Sequence, residues 1–332
     1  MRLSDFSRRA VGICAAAFFV GCGGTQSSTR AVPQSAQTTA QASGSYGDLL
    51  YVTSVPYLTI LSYPEGKVVP RISGNYGNSE VCSDPNDGNV FVVNGLNVDE
   101  YAHGGTTPIA TLTPPPGQEL DGCAVDATTD NLAVLTYQQG GPSGVLIWVN
   151  AQGYPTWYHD KQFSSWGGGF VYDGSGNLFL NGNNVHERFR LVELQAGHSD
   201  FKLIQYPQGT FDFAIFPPAM QWDGTYLVFQ ENEYSGYGNV LYQLQVTGHK
   251  SKIVNTLHLL RQSMDREFVL RDGLLFGFYK HERNFSNYAI AVWHYPKAGR
   301  PFDHFYGVKN GHYGNWPQLT LSVAPSRSRI HR

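Results

Sequence analysis

Long apolar segments, an excess of basic residues and a dense cysteine framework are all missing from this chain of 332 residues. The apolar run at 10–21 has twelve residues, whereas a helix that spans a bilayer needs about 20. The 23 Lys and Arg are outnumbered by 26 Asp and Glu. This balance argues against nucleic acid as a partner, because phosphates require clustered positive charge.

Strong local signatures of catalysis are also missing. The sequence contains no Gly-x-Ser-x-Gly elbow, no His-Glu-x-x-His pair, no Cys-x-x-Cys-His segment and no phosphate-binding Gly-Lys-Ser/Thr loop. An enzymatic site would therefore have to be assembled from residues that are distant in sequence.

What the chain does have is a short apolar strand that recurs six times, each time introduced by Gly, Asp, Asn or Thr. The copies lie at Asp48–Val52, Asn89–Val93, Asn131–Leu135, Asn177–Leu180, Thr225–Phe229 and Gly273–Phe278, at steps of 41 to 48 residues. A period in the forties that is built from short strands is typical of a β-propeller, in which each repeat forms one four-stranded blade. The sequence therefore predicts an all-β, six-bladed β-propeller over residues 46–323.

The two ends of this region predict how the ring closes. The chain enters at what looks like a second strand, Asp48–Val52, and leaves through an orphan apolar strand, Gln318–Val323. We expect the last strand to supply the missing first strand of blade one, which removes an open sheet edge. The segment 84–93 and Tyr51–Ser54 resemble the NHL and YVTN-type propeller repeats of bacterial surface and periplasmic proteins.

The N-terminus has the organisation of an export signal. Three arginines precede the apolar run, and Phe19-Val-Gly-Cys22 resembles a bacterial lipobox. The resemblance implies cleavage after residue 21, diacylation of Cys22 and a lipid-anchored mature protein; ordinary secretion is the alternative. Residues 22–45 are rich in Ser, Thr and Gln and predict a flexible tether, and 324–332 predict a disordered basic tail. Without the signal the chain carries 20 basic and 25 acidic residues, a net charge of −5.

Two cysteines, Cys82 and Cys123, belong to the predicted propeller. They lie on equivalent strands of neighbouring blades, so a disulfide is conceivable outside the cytoplasm. Cys82 lies two residues before its strand's aspartate, and Cys123 lies three before its own. Strand alternation then directs them to opposite faces unless a bulge intervenes, which favours two buried thiols.

Carboxylates near the predicted channel mouth are candidate metal ligands. Glu80 and Asp121 lie at or near the starts of first strands, where oxygen ligands converging on the axis would suit Ca²⁺. The lactonase-type propellers that use such a metal need side-chain ligands from specific blades. Blade four offers only Gly167–Gly169 there, which favours solvated loop acids and no cofactor.

Two further groups are candidate ligand-binding residues. Trp166 and Trp316 adjoin predicted loops that lead into first strands, where an indole would suit a sugar face or an apolar ligand. The tripeptide His-Glu-Arg occurs twice in loops expected on the same face, as His186, Glu187 and Arg188 and as His281, Glu282 and Arg283. The repeats form either a polar recognition rim or charged loops that match by ancestry or chance.

The sequence predicts a lipid-anchored, extracytoplasmic propeller that binds an envelope protein, peptide or glycan without chemistry, and that is a monomer. The alternatives are a lactonase-like hydrolase or lyase with a divalent metal at the channel mouth, and a structural envelope protein. Gly23 follows Cys22 where an Asp would imply retention at the inner membrane, which favours the outer membrane or the cell surface.

Overall fold

The structure is a computed structural model that describes residues 46–54, 56–74, 76, 79–138, 143–159, 165–184, 189–206, 219–232, 238–260, 268–280, 287–309 and 318–325. These residues all belong to one compact unit, Gln41–Arg332. The predicted signal and tether lie outside them, as does all of the predicted tail after Pro325. Within the described part of the chain, no helix has the length and apolar character to cross a membrane.

The described residues form 24 strands in chain order. They are β1 (Leu49–Ser54), β2 (Tyr57–Ser62), β3 (Val68–Ser73), β4 (Glu80–Ser83), β5 (Val90–Val93), β6 (Val98–Tyr101), β7 (Pro108–Leu112), β8 (Gln118–Val125), β9 (Leu132–Gln138), β10 (Ser143–Val149), β11 (Gln152–His159), β12 (Ser165–Tyr172), β13 (Leu178–Asn183), β14 (Phe189–Leu194), β15 (Phe201–Ile204), β16 (Met220–Trp222), β17 (Leu227–Asn232), β18 (Gly238–Thr247), β19 (Lys250–Leu260), β20 (Phe268–Arg271), β21 (Leu274–Lys280), β22 (Asn287–His294), β23 (Asp303–Lys309) and β24 (Leu319–Ser322).

These strands form six four-stranded antiparallel sheets, which confirms the predicted six-bladed propeller. Blade one has the order β24-β1-β2-β3, and blades two to six are β4–β7, β8–β11, β12–β15, β16–β19 and β20–β23. One copy of the repeated apolar segment overlaps the second strand of every blade, which is β1, β5, β9, β13, β17 or β21. Because every blade has the same strand order, all six inner strands run in the same direction along the ring axis.

Six apolar clusters hold neighbouring blades together. Alternate residues of each strand face the previous and the next blade, so both faces of the sheet are buried. Trp148 is fully buried between blades two and three, and Trp293 between blades five and six. Burial of one such side chain stabilises a fold by roughly 1.5–3 kcal/mol or more. The outer strands β3 and β7 are largely exposed, as edge strands must be.

The ring closes where the sequence predicts. β24 pairs antiparallel with β1, with Val52 opposite Leu319, and the backbone N–H of Thr53 donates to the Gln318 carbonyl at 3.0 Å. On the other side of β24, the Ser83 hydroxyl donates to the Leu321 carbonyl at 2.8 Å. The closing strand β24 therefore belongs to blade one and also contacts blade two.

Cys82 and Cys123 are joined by a disulfide between β4 and β8, with their Cα atoms 5.7 Å apart. Cys82 packs toward blade three, whereas Val81 packs toward blade one. Cys123 is the counterpart of Val81 and contacts the cluster between blades two and three. In the ring, one face of an inner strand packs against the opposite face of the equivalent strand in the next blade. The preference for two thiols is therefore wrong, because the alternation that supported it brings the two sulfurs together.

Candidate functional site

The described residues enclose a cavity on the ring axis. It has a volume of about 520 Å³ and is lined by residues of all six inner strands, β24, β4, β8, β12, β16 and β20. This volume falls within the ~300–1,000 Å³ typical of ligand pockets. We call the end at which the inner strands begin, marked by Glu80, Asp121 and Gln318, the mouth.

The charged lining residues are unequally distributed along the axis. Glu80 and Asp121 line the mouth, whereas Asp173 and Arg271 line the opposite end, where the inner strands finish. The mouth is therefore the more negative end of the described lining. A negative, partly enclosed concave site attracts positively charged groups, because the low-dielectric walls focus its field.

A β-bulge places Asp121. The register between β8 and β9 shifts between Leu120 and Cys123, so that Asp121 and Gly122 together lie opposite the single residue Leu135. A bulge re-aims side chains out of the regular alternation. Gly122 also permits close packing, because a Cβ atom there would lie 2.7 Å from the Phe170 ring.

Burial raises the pKa of the Asp121 carboxyl, and the backbone N–H of Gly122 opposes that rise. Tyr137 on β9 lies opposite Glu119 on β8. Burial raises the pKa of the Tyr137 phenol, and the nearby carboxylates of Asp121 and Glu119 raise it further. A carboxyl with a raised pKa that lines a cavity is a candidate functional group.

The structure brings Glu80 and Asp121 to the same cavity, in agreement with their predicted position. Within the described residues, no group of three or more His, Cys, Asp or Glu side chains is arranged to hold one metal ion. The Ca²⁺ site stays a prediction.

Gln318 is the mouth residue that sequence reasoning missed. It precedes β24, lines the cavity and is only 8 % exposed, and its side-chain Oε1 is buried without a hydrogen-bond partner. The alternation Gln318-Leu-Thr-Leu-Ser322 was the available signal. Leu319 and Leu321 pack on the blade-six side, so the polar members face the other way. A buried unpaired amide oxygen costs roughly 1–3 kcal/mol, which calls for an explanation.

The remaining candidate residues lie outside the described residues. These are the two tripeptides His186, Glu187, Arg188 and His281, Glu282, Arg283, together with Trp316 and the lipidation residue Cys22. Only the backbone of Trp166 is described, and it pairs with Gly182 across β12 and β13. A ligand-binding rim formed by these residues stays a prediction.

The end of the ring opposite the mouth carries structural polar networks. Asp84 accepts the backbone N–H of Asn86 at 2.7 Å, and Asn86 donates to Asp130 on the next blade. Burial, with the charges of Asp87 and Asp130, raises the pKa of Asp84 to about 6. The contacts of Asp84 and Asn86 are explained by turn formation and blade docking.

Nearby, His103 lies between Ser322 and the backbone of Gly47. Its Nδ1 is 2.6 Å from the Ser322 hydroxyl and its Nε2 is 2.9 Å from the Gly47 carbonyl oxygen. Burial lowers the pKa of the His103 imidazole. This histidine therefore ties the closing strand β24 and the start of β1 to blade two.

No protein-family model and no curated protein sequence matches the chain. Among solved structures it is similar to a protein of unknown function from Bacteroides caccae, with a TM-score of 0.55 and 14% identity over 83% of this chain and 99% of that one. TolB from Acinetobacter baumannii gives a TM-score of 0.55 and 11% identity, over 83% of this chain and 67% of that one. A putative TolB from Agrobacterium tumefaciens gives 0.52 and 9%, over 85% and 100%. At these identities the likeness shows the propeller fold alone.

Proposed function

We propose that this chain is a non-catalytic binding module that recognises a protein, peptide or glycan at the mouth of its central cavity. The carrying observation is the axial cavity of about 520 Å³, whose mouth is lined by the two carboxylates Glu80 and Asp121. Six inner strands surround it, so the mouth residues stand on rigid elements, which suits recognition. The propeller fold shared with two TolB structures is compatible with this role.

The mouth would be tested by site-specific photo-cross-linking of the full chain in envelope preparations. Tyr137 is 43 % exposed and close to Asp121, whereas Tyr154 is 76 % exposed on the outer strand β11. An aromatic photo-cross-linker at either position replaces one tyrosine with a residue of similar shape. We expect a discrete adduct from position 137 and none from 154. Equal cross-linking from both positions would overturn the proposal.

We further propose that the protein is a monomer held outside the cytoplasm by a lipid on Cys22, at the outer membrane or cell surface. The lipobox-like segment before Cys22 and the resemblance to NHL and YVTN-type repeats of bacterial surface proteins support this placement. Metabolic labelling with a fatty acid should mark the wild type but not Cys22→Ala. The control variant Cys14→Ala should be labelled like the wild type, because residue 14 belongs to the predicted signal that is cleaved off. Labelling of Cys22→Ala would contradict the anchor.

The hydrolase alternative makes a separate demand. A lactonase-like propeller would contain stoichiometric Ca²⁺ or another divalent metal at Glu80 and Asp121, and it would hydrolyse lactones in a metal-dependent way. Metal analysis of the purified chain and a lactone assay with and without chelator would measure both properties. Metal-dependent turnover would replace the binding proposal by an enzymatic one.

A further inference from the structure

The lining of the axial cavity offers hydrogen-bond donors as well as acceptors. Each inner strand is the terminal strand of its four-stranded sheet, so within the described residues no other strand pairs with its axial edge. Such an edge presents backbone N–H and C=O groups. Gly122, Gly169 and Gly174 line the cavity without a side chain that could cover them. A ligand in the cavity therefore meets both kinds of hydrogen-bonding group.

One neutral side chain at the mouth has an unmet acceptor. Gln318 is 8 % exposed, and its Oε1 is buried with no hydrogen-bond donor among the described residues. The backbone of Gln318 is fixed, because its N–H donates to the Thr53 hydroxyl at 2.9 Å and its carbonyl accepts the Thr53 N–H at 3.0 Å. The terminal torsion of a glutamine is broad, so the amide can turn toward a ligand while the backbone stays in place. A donor on the ligand would relieve the cost of this unpaired oxygen.

Further polar groups of different character line the same cavity. Gln221 on β16 is a second neutral amide, Asp121 is an acceptor at the mouth, and Arg271 is a donor at the opposite end. Asp173, also at the opposite end, already accepts the backbone N–H of Asn177 at 2.9 Å. The lining therefore combines neutral amides with charges of both signs.

This combination disfavours a ligand of a single polarity. A wholly apolar ligand would cover the Gln318 and Gln221 amides without giving them a hydrogen-bond partner. An anion would face the carboxyl groups of the mouth. A cation would be drawn to the mouth but would meet Arg271 behind it. A neutral ligand with several hydroxyl groups fits, because each hydroxyl is one donor and two acceptors.

Apolar side chains lie among these polar groups. Val81, Leu135, Phe170 and Met220 line the same cavity. A sugar ring has C–H groups on its faces and hydroxyls around its edge, so it can contact both kinds of lining at once. An extended peptide offers one N–H donor per residue of about 3.3 Å, and successive donors point in opposite directions. A sugar carries donors on adjacent carbons, which suits acceptors that are close together.

We propose that the axial cavity binds the terminal sugar of a neutral glycan, which enters through the mouth. This inference rests on the proposed binding function and selects the glycan among its three ligand classes. The sugar hydroxyls donate to the Oε1 of Gln318 and to the Asp121 carboxyl, and the C–H groups of the ring pack against Phe170 and the other apolar lining residues.

A glycan array probed with the full chain tests the inference. The array carries neutral oligosaccharides, acidic oligosaccharides and the cationic oligosaccharides of chitosan. We expect binding to neutral members that share a terminal sugar, and competition by that sugar as a free monosaccharide. Binding to no member of the array, or to charged members alone, would overturn the proposal.

Two glutamine variants test the site. Gln318→Leu should weaken glycan binding about tenfold, because the ligand loses a buried hydrogen bond. Gln152→Leu makes the same change at an exposed position on the outer strand β11 and should bind like the wild type. The melting temperature of Gln318→Leu should equal or exceed that of the wild type, because leucine removes an unpaired acceptor and keeps the backbone bonds to Thr53. Equal glycan binding by the two variants would overturn the assignment of the site.

Two variants of Asp121 separate a neutral ligand from a cation. Asp121→Asn keeps an acceptor oxygen without the charge, whereas Asp121→Ala removes both. Binding of a neutral sugar should fall by less than about threefold in Asp121→Asn and by about tenfold in Asp121→Ala. An equal loss in the two variants would show that the charge is recognised, and the proposal would fail. This pair also carries the test if Gln318→Leu does not fold.

The two proposals fail separately. If position 137 gives a protein adduct while no glycan binds, the binding function stands and the assignment to a glycan falls. If neither an adduct nor glycan binding is found, both fall.

Discussion

Gly88 is a residue at which the backbone conformation and its surroundings both exclude a side chain. Its φ is +79°, and a Cβ atom there would lie 2.4 Å from the Val323 carbonyl oxygen and 3.4 Å from His103 Nδ1. Gly95 has a similar φ of +83°, but a Cβ atom there would meet nothing within 4 Å. A comparison of substitutions at the two glycines therefore separates the free-energy cost of the left-handed backbone conformation from the cost of the steric clash.

We expect Gly88→Ala to lower the free energy of unfolding by about 3 kcal/mol or more, because the Val323 backbone must shift as well. Gly95→Ala should lower it by only about 1 kcal/mol, the cost of a left-handed alanine. Urea unfolding of both variants measures the difference. An equal loss of unfolding free energy in the two variants would show that the backbone at Val323 moves aside at little cost.

Asp84 supplies a prediction about pH. Its folded-state pKa of about 6 lies above the ordinary value of 3.8, so the native state binds more protons than the unfolded state between these two values. Stability from this group is therefore lost as the pH rises from about 4 to 6. Asn keeps an oxygen that accepts the Asn86 backbone N–H, but it carries no charge.

Asp84→Asn is accordingly expected to raise the free energy of unfolding at pH 7.5 by about 1–3 kcal/mol, with little difference at pH 4. Urea unfolding of wild type and variant across this pH range gives both values. A gain that stays constant from pH 4 to pH 8 would rule out relief of a buried charge.

At the scale of elements, the disulfide links the inner strands of blades two and three across 41 residues. Closing a loop of this length in the unfolded chain stabilises a protein by about 3–4 kcal/mol in the chain-entropy account. The Cys82→Ala/Cys123→Ala variant should lose about this much stability. Dithiothreitol should destabilise the wild type by a similar amount and leave the double variant unaffected. A wild type that is insensitive to complete reduction would show that the link contributes little.

Elements were more predictable from the sequence than contacts between them. The apolar repeat locates the second strand of each blade, because both faces of that strand are buried and most of its buried residues are apolar. The disulfide was misjudged because the faces of Cys82 and Cys123 were compared within equivalent strands, not across a blade boundary. Asp121 was identified by position, but its bulge has no local sequence signature. The polar alternation of Gln318–Ser322 indicates which way Gln318 faces, but it does not show that the amide oxygen lacks a partner.

At the scale of the whole molecule, β24 is the only described strand that joins its blade from the far end of the chain. Leu319 and Leu321 fill the core between blades six and one, with Phe276 and Phe278. A chain that ends at Pro317 would expose this core and an unpaired edge of β1. We expect it to lose cooperative unfolding, whereas a chain that ends at Pro325 should unfold like the full-length protein. Circular dichroism during thermal unfolding distinguishes the two.

The closure also predicts that the propeller tolerates circular permutation, in which the present ends are joined and new termini are made elsewhere. The backbone N–H of Ala324 donates to Asp48 Oδ1 at 3.1 Å, so the two ends of the propeller lie side by side. A short Gly/Ser linker from Pro325 to Tyr46 would span them without strain. New termini in the exposed turn between Gly197 and His198 would leave β14 and β15 to complete blade four from opposite ends of the chain. We expect this permutant to unfold cooperatively, with a free energy within about 2 kcal/mol of the parent's, because it keeps every strand pairing. If it is protease-sensitive while the parent is not, closure depends on chain order as well as on strand pairing.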